Sequence, residues 1–255
     1  MKKILNICLL IAALFCATPA FAEPDQWTIS TGYNYSSGDY GQTESTKVHY
    51  APVTLKWRHG KWTLKLMAPY ISITGPGVVV GDVPVGAPRP VGTESGLGDV
   101  TATVDYMHTL NAKGTTLNLT GIVKLPTADE DRRLGTGLTD FTAQAGVIQP
   151  IGKFFVMGNV GRKFNGSNAS FPLDDVWKFT AGGGYNIDDK TSVGALFDYR
   201  EKQSAAGDPM ELATAYVSRK FDDGLSVQLY ASAGFTDAAP NGAIGIQFNK
   251  EFNLF

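Results

Sequence analysis

Beyond residue 25 the chain alternates apolar and polar positions, in segments of roughly ten residues, with the period of two expected of strands that have one wet and one oily face. Trp27, Ile29, Thr31, Tyr33 and Tyr35 share one side, with Thr28, Ser30, Gly32 and Asn34 on the other. Val53, Leu55 and Trp57 oppose Thr54, Lys56 and Arg58; Trp62, Leu64, Leu66, Ala68 and Tyr70 oppose Thr63 and Lys65. Val100, Ala102, Val104 and Tyr106 oppose Asp99, Thr101, Thr103 and Asp105. The scheme resumes around Leu119, Phe141, Phe179, Phe197, Leu229 and Ile246. Residues 154–164 and 212–221 also read as strands, but their pattern does not decide which face is apolar. No stretch of useful length with helical period follows residue 22.

The connections come in two kinds. Tight turns are predicted near residues 59–60, 110–113, 150–152, 188–190 and 222–224; longer polar or Pro/Gly-rich loops are predicted at 36–45, 75–95, 126–136, 165–174, 203–210 and 237–241. Long and short alternate without exception. That asymmetry predicts an all-β fold, a transmembrane up-and-down antiparallel β-barrel of about 12 strands with both termini on the periplasmic, short-turn side. The pattern tolerates about 10 to 14 strands, since short segments can merge or split. A periplasmic β-sandwich binding module also alternates with period two, so periodicity alone does not exclude it.

Ring placement favours the membrane. Trp27 and Tyr35, Trp62 and Tyr70, and Trp177 and Tyr185 each stand eight residues apart on one face. Eight residues rise about 27 Å along a strand, and a tilt of roughly 40° brings this to about 21 Å, near the ~25 Å apolar band between the aromatic girdles of a barrel. The opposite faces carry Lys56, Lys65, Lys124, Lys178 and Arg200 near mid-strand, together with Asp105 and Asp198. These seven are the lumen-lining candidates, because such side chains are hard to bury in a sandwich core and natural in a wet lumen. With cations in excess, the lumen is expected to favour anions. The segment 75–95 is apolar for a loop, and its Val78, Val79, Val80, Asp82 and Arg89 are candidates for a constriction at the mouth.

Charge and targeting narrow the function. The 22 Lys+Arg are balanced by 24 Asp+Glu and are scattered, which argues against a nucleic-acid partner. Residues 1–22 read as a cleaved signal peptide: Lys2 and Lys3, a short apolar run, then Ala20-Phe21-Ala22. The barrel is expected over 23–255, in the outer membrane of a Gram-negative bacterium. Both cysteines, Cys8 and Cys16, fall in the leader, so thiol chemistry is not expected of the exported chain. The final strand ends in Phe255, like the aromatic terminus through which outer-membrane barrels engage their assembly machinery. The other expected partners are outer-membrane lipid and a small-molecule permeant.

The stretches "SGLGDV" (95–100), "KLPT" (124–127), "LGTGLTD" (134–140) and "GR" (161–162) resemble the family associated with the MetA pathway of phenol degradation. The resemblance implies an outer-membrane β-barrel that passes small, often aromatic or hydrophobic compounds, with no established enzymatic mechanism. The residues themselves point the same way. His49, His59 and His108 fit no Ser-His-acid spacing, no metal-ligand cluster is recognisable, and Gly182-Gly183-Gly184 lies inside a strand rather than at a phosphate-binding turn. No cofactor and no catalytic residue is therefore assigned. A membrane-embedded lipid-modifying enzyme stays open as an alternative to a passive channel.

Overall fold

A computed structural model of the chain describes residues 25–76, 79–80, 83–84, 92–205 and 207–253. The assigned leader, Val78, Asp82, Arg89 and Phe255 lie outside these. The elements are β1 (Gln26–Gly38), β2 (Thr46–His59), β3 (Trp62–Gly75), β4 (Val79–Val80), β5 (Val83–Pro84), β6 (Gly92–Leu97), β7 (Val100–Thr109) and β8 (Thr116–Leu125). They continue with β9 (Asp140–Ile151), β10 (Phe154–Phe164), β11 (Val176–Asn186), β12 (Thr191–Arg200), β13 (Met210–Lys220), β14 (Leu225–Gly234) and β15 (Gly242–Asn253). Val79 and Val80 pair with Val83-Pro84 in a short hairpin apart from the main sheet.

The main sheet closes on itself. Neighbours in sequence pair antiparallel around the ring, and β1 meets β15 from Gln26↔Asn253 to Ser37↔Gly242. A sandwich would leave edges here, and its reading falls. Thirteen strands take part; β6 and β7 both pair with β3, end to end, so the wall is twelve strands round. Gln26 lies beside both Arg58 and Asn253, which puts the first and last strands' outer ends at the tight-turn end of the barrel.

The outer face is apolar and has nothing packed on it. Leu66 is 52% exposed and Tyr70 51%, with Leu119, Phe179, Phe197 and Leu229 similarly bare. In water this surface would be an aggregation hazard, and in a bilayer it is the solvent-matched one. Rings gather at two levels. Trp27–Trp57, Trp62–Tyr106 and Phe154–Tyr185 meet near the turns at centroid separations of 6.3, 4.8 and 4.8 Å, and Phe179–Tyr199 and Phe197–Phe235 meet towards the loops at 6.1 and 6.3 Å. On β10 the exposed Phe154, Val156, Val160 and Phe164 face outward. On β13 Val217 faces outward, while Tyr216 turns inward to lie 2.5 Å from where a Cβ on Gly194 would stand. Sequence left this strand ambiguous because an apolar ring points into the lumen, beside the outward valine.

Between β6 and β7 the wall carries a bulge. The residue sum of partners is 168 along β3–β7 (Trp62↔Tyr106) and 167 along β3–β6 (Tyr70↔Leu97), so one extra residue is inserted at Gly98-Asp99. The bulge reverses the inward parity. Leu97 points out, 66% exposed, and Asp99, two residues on, has its carboxylate on an inward-facing lysine.

Candidate functional site

The inward-facing charges fall into two tiers rather than the single mid-strand ring expected from sequence. Lys56, Lys65 and Asp105 lie in the turn-side half, whereas Lys124, Lys178, Asp198 and Arg200 lie within two residues of the loop-side ends of β8, β11 and β12. The physical reason is strand length: β2 and β3 run fourteen residues each, so a position central to the alternating stretch is not central to the wall.

On the loop side, Lys124 is held in a clamp. Its ammonium stands 3.2 Å from Asp99 Oδ2 and 3.1 Å from Asp140 Oδ2, and donates to Thr136 Oγ1 at 3.1 Å. Lys163 pairs with the same Asp140 oxygen at 3.3 Å. The far oxygens are also filled, since Asp99 Oδ1 accepts the backbone N–H groups of Thr127 and Ala128, and Asp140 Oδ1 accepts that of Gly166. Two cations and two carboxylates thus neutralise one another, and the backbone donors come from two loops, Thr127 and Ala128 from residues 126–139 and Gly166 from residues 165–175. Thr127 fastens the first of these further by accepting Val100 N–H at 2.8 Å. Sequence reading chose Lys124 but missed its partner Thr136, and missed Thr127 and Lys163, which bind the same carboxylates; the available signal was that "SGLGDV", "KLPT", "LGTGLTD" and the Lys after "GR" each contribute a group to this one network.

The clamp seats an apolar lid. The charged tip of this loop, Asp129 to Arg132, is exposed, while Leu134 beside it is only 2% exposed and packs with Tyr40, Val48, Ile71 and Ile73 on the inner side of the mouth. The glycines of the motif make room: a Cβ on Gly96 would stand 2.7 Å from Leu134 Cδ1, and one on Gly135 2.7 Å from the Cβ of Ala128 and 2.9 Å from Asp99 Oδ1. Across the mouth, Ala238 and Ala239 of the last loop cover Met210. Asp39 and Asn241 then bond reciprocally at 3.1 Å, tying the first loop to the last.

Deeper, the lumen is lopsided. Phe155, Tyr216 and Tyr230 lie against Gly184, Gly194 and Gly245 of neighbouring strands, so aromatic rings fill one side. The other side holds a cavity of about 410 Å³ in the turn-side half, walled by β2, β3 and β7 to β10. Lys56, Arg58 and Lys65 line it together with Asp105. Asp105 is already engaged, by Lys65 at 2.5 Å and by the Thr120 hydroxyl at 2.6 Å. Among the described residues Lys56 and Arg58 have no carboxylate within ion-pair distance. On the loop-side tier, Asp198 accepts the Thr180 hydroxyl at 2.6 Å, and Arg200 is buried in register with Lys178.

The three histidines stand apart from all this. His49 meets the Tyr33 hydroxyl at 2.5 Å beside the Tyr35 ring, His59 meets Asp25 at 2.8 Å next to Trp57, and His108 meets the Lys61 ammonium at 3.0 Å next to Tyr106. They belong to the outer aromatic levels. Among the described residues no group of three or more His, Cys, Asp or Glu side chains could hold a metal.

Compared with known proteins, residues 42–252 match the model of the family described as "Putative MetA-pathway of phenol degradation". No curated protein matches. Among solved structures, an outer membrane channel from Pseudomonas putida F1 superposes with a TM-score of 0.70 at 18% identity, over 92% of this chain and 97% of that one. The NanC porin follows at 0.55 and 8%, over 90% and 100% of the two chains, and the KdgM porin at 0.54 and 11%, over 86% and 98%. At these identities the likeness is one of fold.

Proposed function

Because this chain belongs to the MetA-pathway family of phenol degradation, we propose that it is an outer-membrane channel through which small molecules, aromatic or hydrophobic ones included, move passively, with a preference for anions. The observation that carries this reading is the contrast between the two faces of the closed wall, bare and apolar outside but polar inside around a cavity where three cations meet one carboxylate. A constriction lined by one sign of charge sets selectivity. The structural neighbours of the same twelve-strand fold are named as an outer membrane channel and as porins. Residues 1–22 act in this proposal as the export signal of a Gram-negative bacterium, and the C-terminal strand as the contact for barrel assembly.

The test is the reversal potential of purified protein in a planar bilayer across a salt gradient. The parent is expected to prefer anions, and Lys56→Glu and Lys65→Glu to move the potential towards cations. Lys124 is less suited to this comparison, because its charge is already met by Asp99 and Asp140. A cation-preferring parent, or two variants that leave the potential in place, would refute anion preference; absence of any conductance would refute the channel.

A further inference from the structure

We infer that the turn-side cavity is a binding site for a small carboxylate with an apolar, ring-bearing body, held by Lys56 and Arg58 on one flank and by a thioether and aliphatic wall on the other. This deepens the channel reading and rests on it for the route by which the ligand arrives. The cavity's two flanks differ in kind. β2 and β3 bring Lys56, Arg58 and Lys65, while the apolar members Met107, Ile122, Ile148 and Met157 all come from β7 to β10, where they stand among polar neighbours. An apolar wall of this kind facing a wet lumen is not needed to seal the barrel, whose outward residues already do so.

Charge selects the head group. Asp105 is satisfied by Lys65 and Thr120, and Glu251, farther towards the chain end, takes a hydrogen bond from Gln26 at 3.2 Å and is not on the cavity. Among the described residues, Lys56 and Arg58 are thus left with open donors. Arg58 can present a planar fork that matches a carboxylate in a bidentate way, and Lys56 adds a point charge. The body is selected by Met107 and Met157, because thioether sulfur contacts aromatic rings favourably at the ring edge, with Ile122 and Ile148 supplying dispersion contacts. The volume of about 410 Å³ falls within the range of roughly 300–1,000 Å³ common to small-molecule sites. Asn118, Gln144 and Asn159 line the same space, so a ring substituent such as a hydroxyl would find partners.

The probe is benzoate, with acetate, inorganic phosphate and neutral toluene as comparators, titrated calorimetrically into the full-length protein folded in detergent. Benzoate is expected to bind at least ten-fold more tightly than acetate or phosphate, and toluene weakly. The double variant K56Q/R58Q is expected to lose ten-fold or more of benzoate affinity. Arg58→Lys, which keeps the charge, is expected to lose less. Exchanging Met107 and Met157 for Gln is expected to bring benzoate down to the level of acetate without abolishing either. Heat-modifiable migration on gels checks that each variant is folded. Equal binding of benzoate and acetate, preferential phosphate binding, or undiminished benzoate binding by a folded K56Q/R58Q protein would overturn the site. Single-channel conductance in plain salt is measured alongside: benzoate binding by a protein that conducts nothing would leave the site standing and refute the channel, whereas conduction without benzoate binding would do the reverse.

Discussion

Replacing Lys124 by Met tests whether the loop-side clamp holds the mouth in place. Methionine keeps most of the stem's volume and removes only the ammonium. Three contacts go, at 3.2 Å to Asp99, 3.1 Å to Asp140 and 3.1 Å to Thr136. The two carboxylates that remain are almost enclosed, with side-chain exposures of 8% and 7%. Removing one partner of a buried pair costs about 3–5 kcal/mol. Here the residual donors moderate the loss, for Asp140 keeps Lys163 and Gly166 N–H, and Asp99 keeps two backbone N–H groups. The lower end, ~3 kcal/mol, is therefore expected. Asp99 loses the cation it pairs with, so the double variant Lys124→Met/Asp99→Asn should be less destabilised than the sum of its parts, by ~1–2 kcal/mol.

The assay is urea unfolding in lipid vesicles followed by tryptophan fluorescence, paired with trypsin cleavage at Arg132 and Arg133 in the loop the clamp secures. Faster cleavage of Lys124→Met in the folded barrel is expected, with a rise in single-channel conductance as Leu134 leaves the mouth. A stability loss under ~1 kcal/mol together with parental cleavage kinetics would refute the clamp, because an exposed ion pair is worth only that much. Strict additivity of the double variant would refute the coupling between Lys124 and Asp99.

Other perturbations have equally definite outcomes. On β8, Leu119 is 44% exposed to the outside and Asn118 lines the cavity; Leu119→Arg should cost ~2–4 kcal/mol if it lies near the bilayer midplane, and Asn118→Arg far less, as measured by unfolding in vesicles. Gly135→Val should displace the loop, since its first side-chain atom already meets Ala128 and Asp99, and trypsin sensitivity should rise as for Lys124→Met. In the tight turns, the Lys190 N–H holds the Asp188 carboxyl below its usual range, and the Lys250 ammonium does the same for Asp223. Depressed carboxyl values contribute stability that is present above the unfolded pKa of about 3.9 and lost as pH falls through the folded value. The protection of the amides in both turns, taken relative to their intrinsic exchange rate, should therefore fall only below about pH 4, and Asp188→Asn should remove that dependence in its own turn.

The wall was legible because its demands are local. Alternation, turn composition and loop length each report on one contiguous stretch of chain, and lipid outside with water inside leaves them no conflict. Where the lumen admits rings the signal blurs, as at Tyr216, which covers Gly194 from the next strand. Lys250 also interrupts the outward face of β15, but its stem reaches the turn, with the ammonium 2.9 Å from Asp223 Oδ2, so a charge on the lipid side is brought to water. Such an exception needs the partner strand to be intelligible.

The clamp was harder to foresee because its members lie far apart in the chain, and because an inward lysine looks the same whether it faces a permeant or two buried carboxylates. One local sign was nevertheless available. In "SGLGDV" the exposed Leu97 and the inward Asp99 share parity, although one suits lipid and the other does not. A regular strand cannot place both correctly, since residues two apart point to the same face. Either the leucine is in the lumen, or the aspartate is in the bilayer, or a residue is inserted between them. The third option alone avoids a mismatch, and Gly98, donating to Pro69 O at 2.8 Å, stands at that insertion. The bulge then aims Asp99 at Lys124 and, through Thr127 and Ala128, draws the loop over the mouth. A two-residue parity conflict bracketing a glycine, in an otherwise alternating strand, is thus a sequence-readable mark of the point where a barrel wall turns a side chain from lipid to lumen.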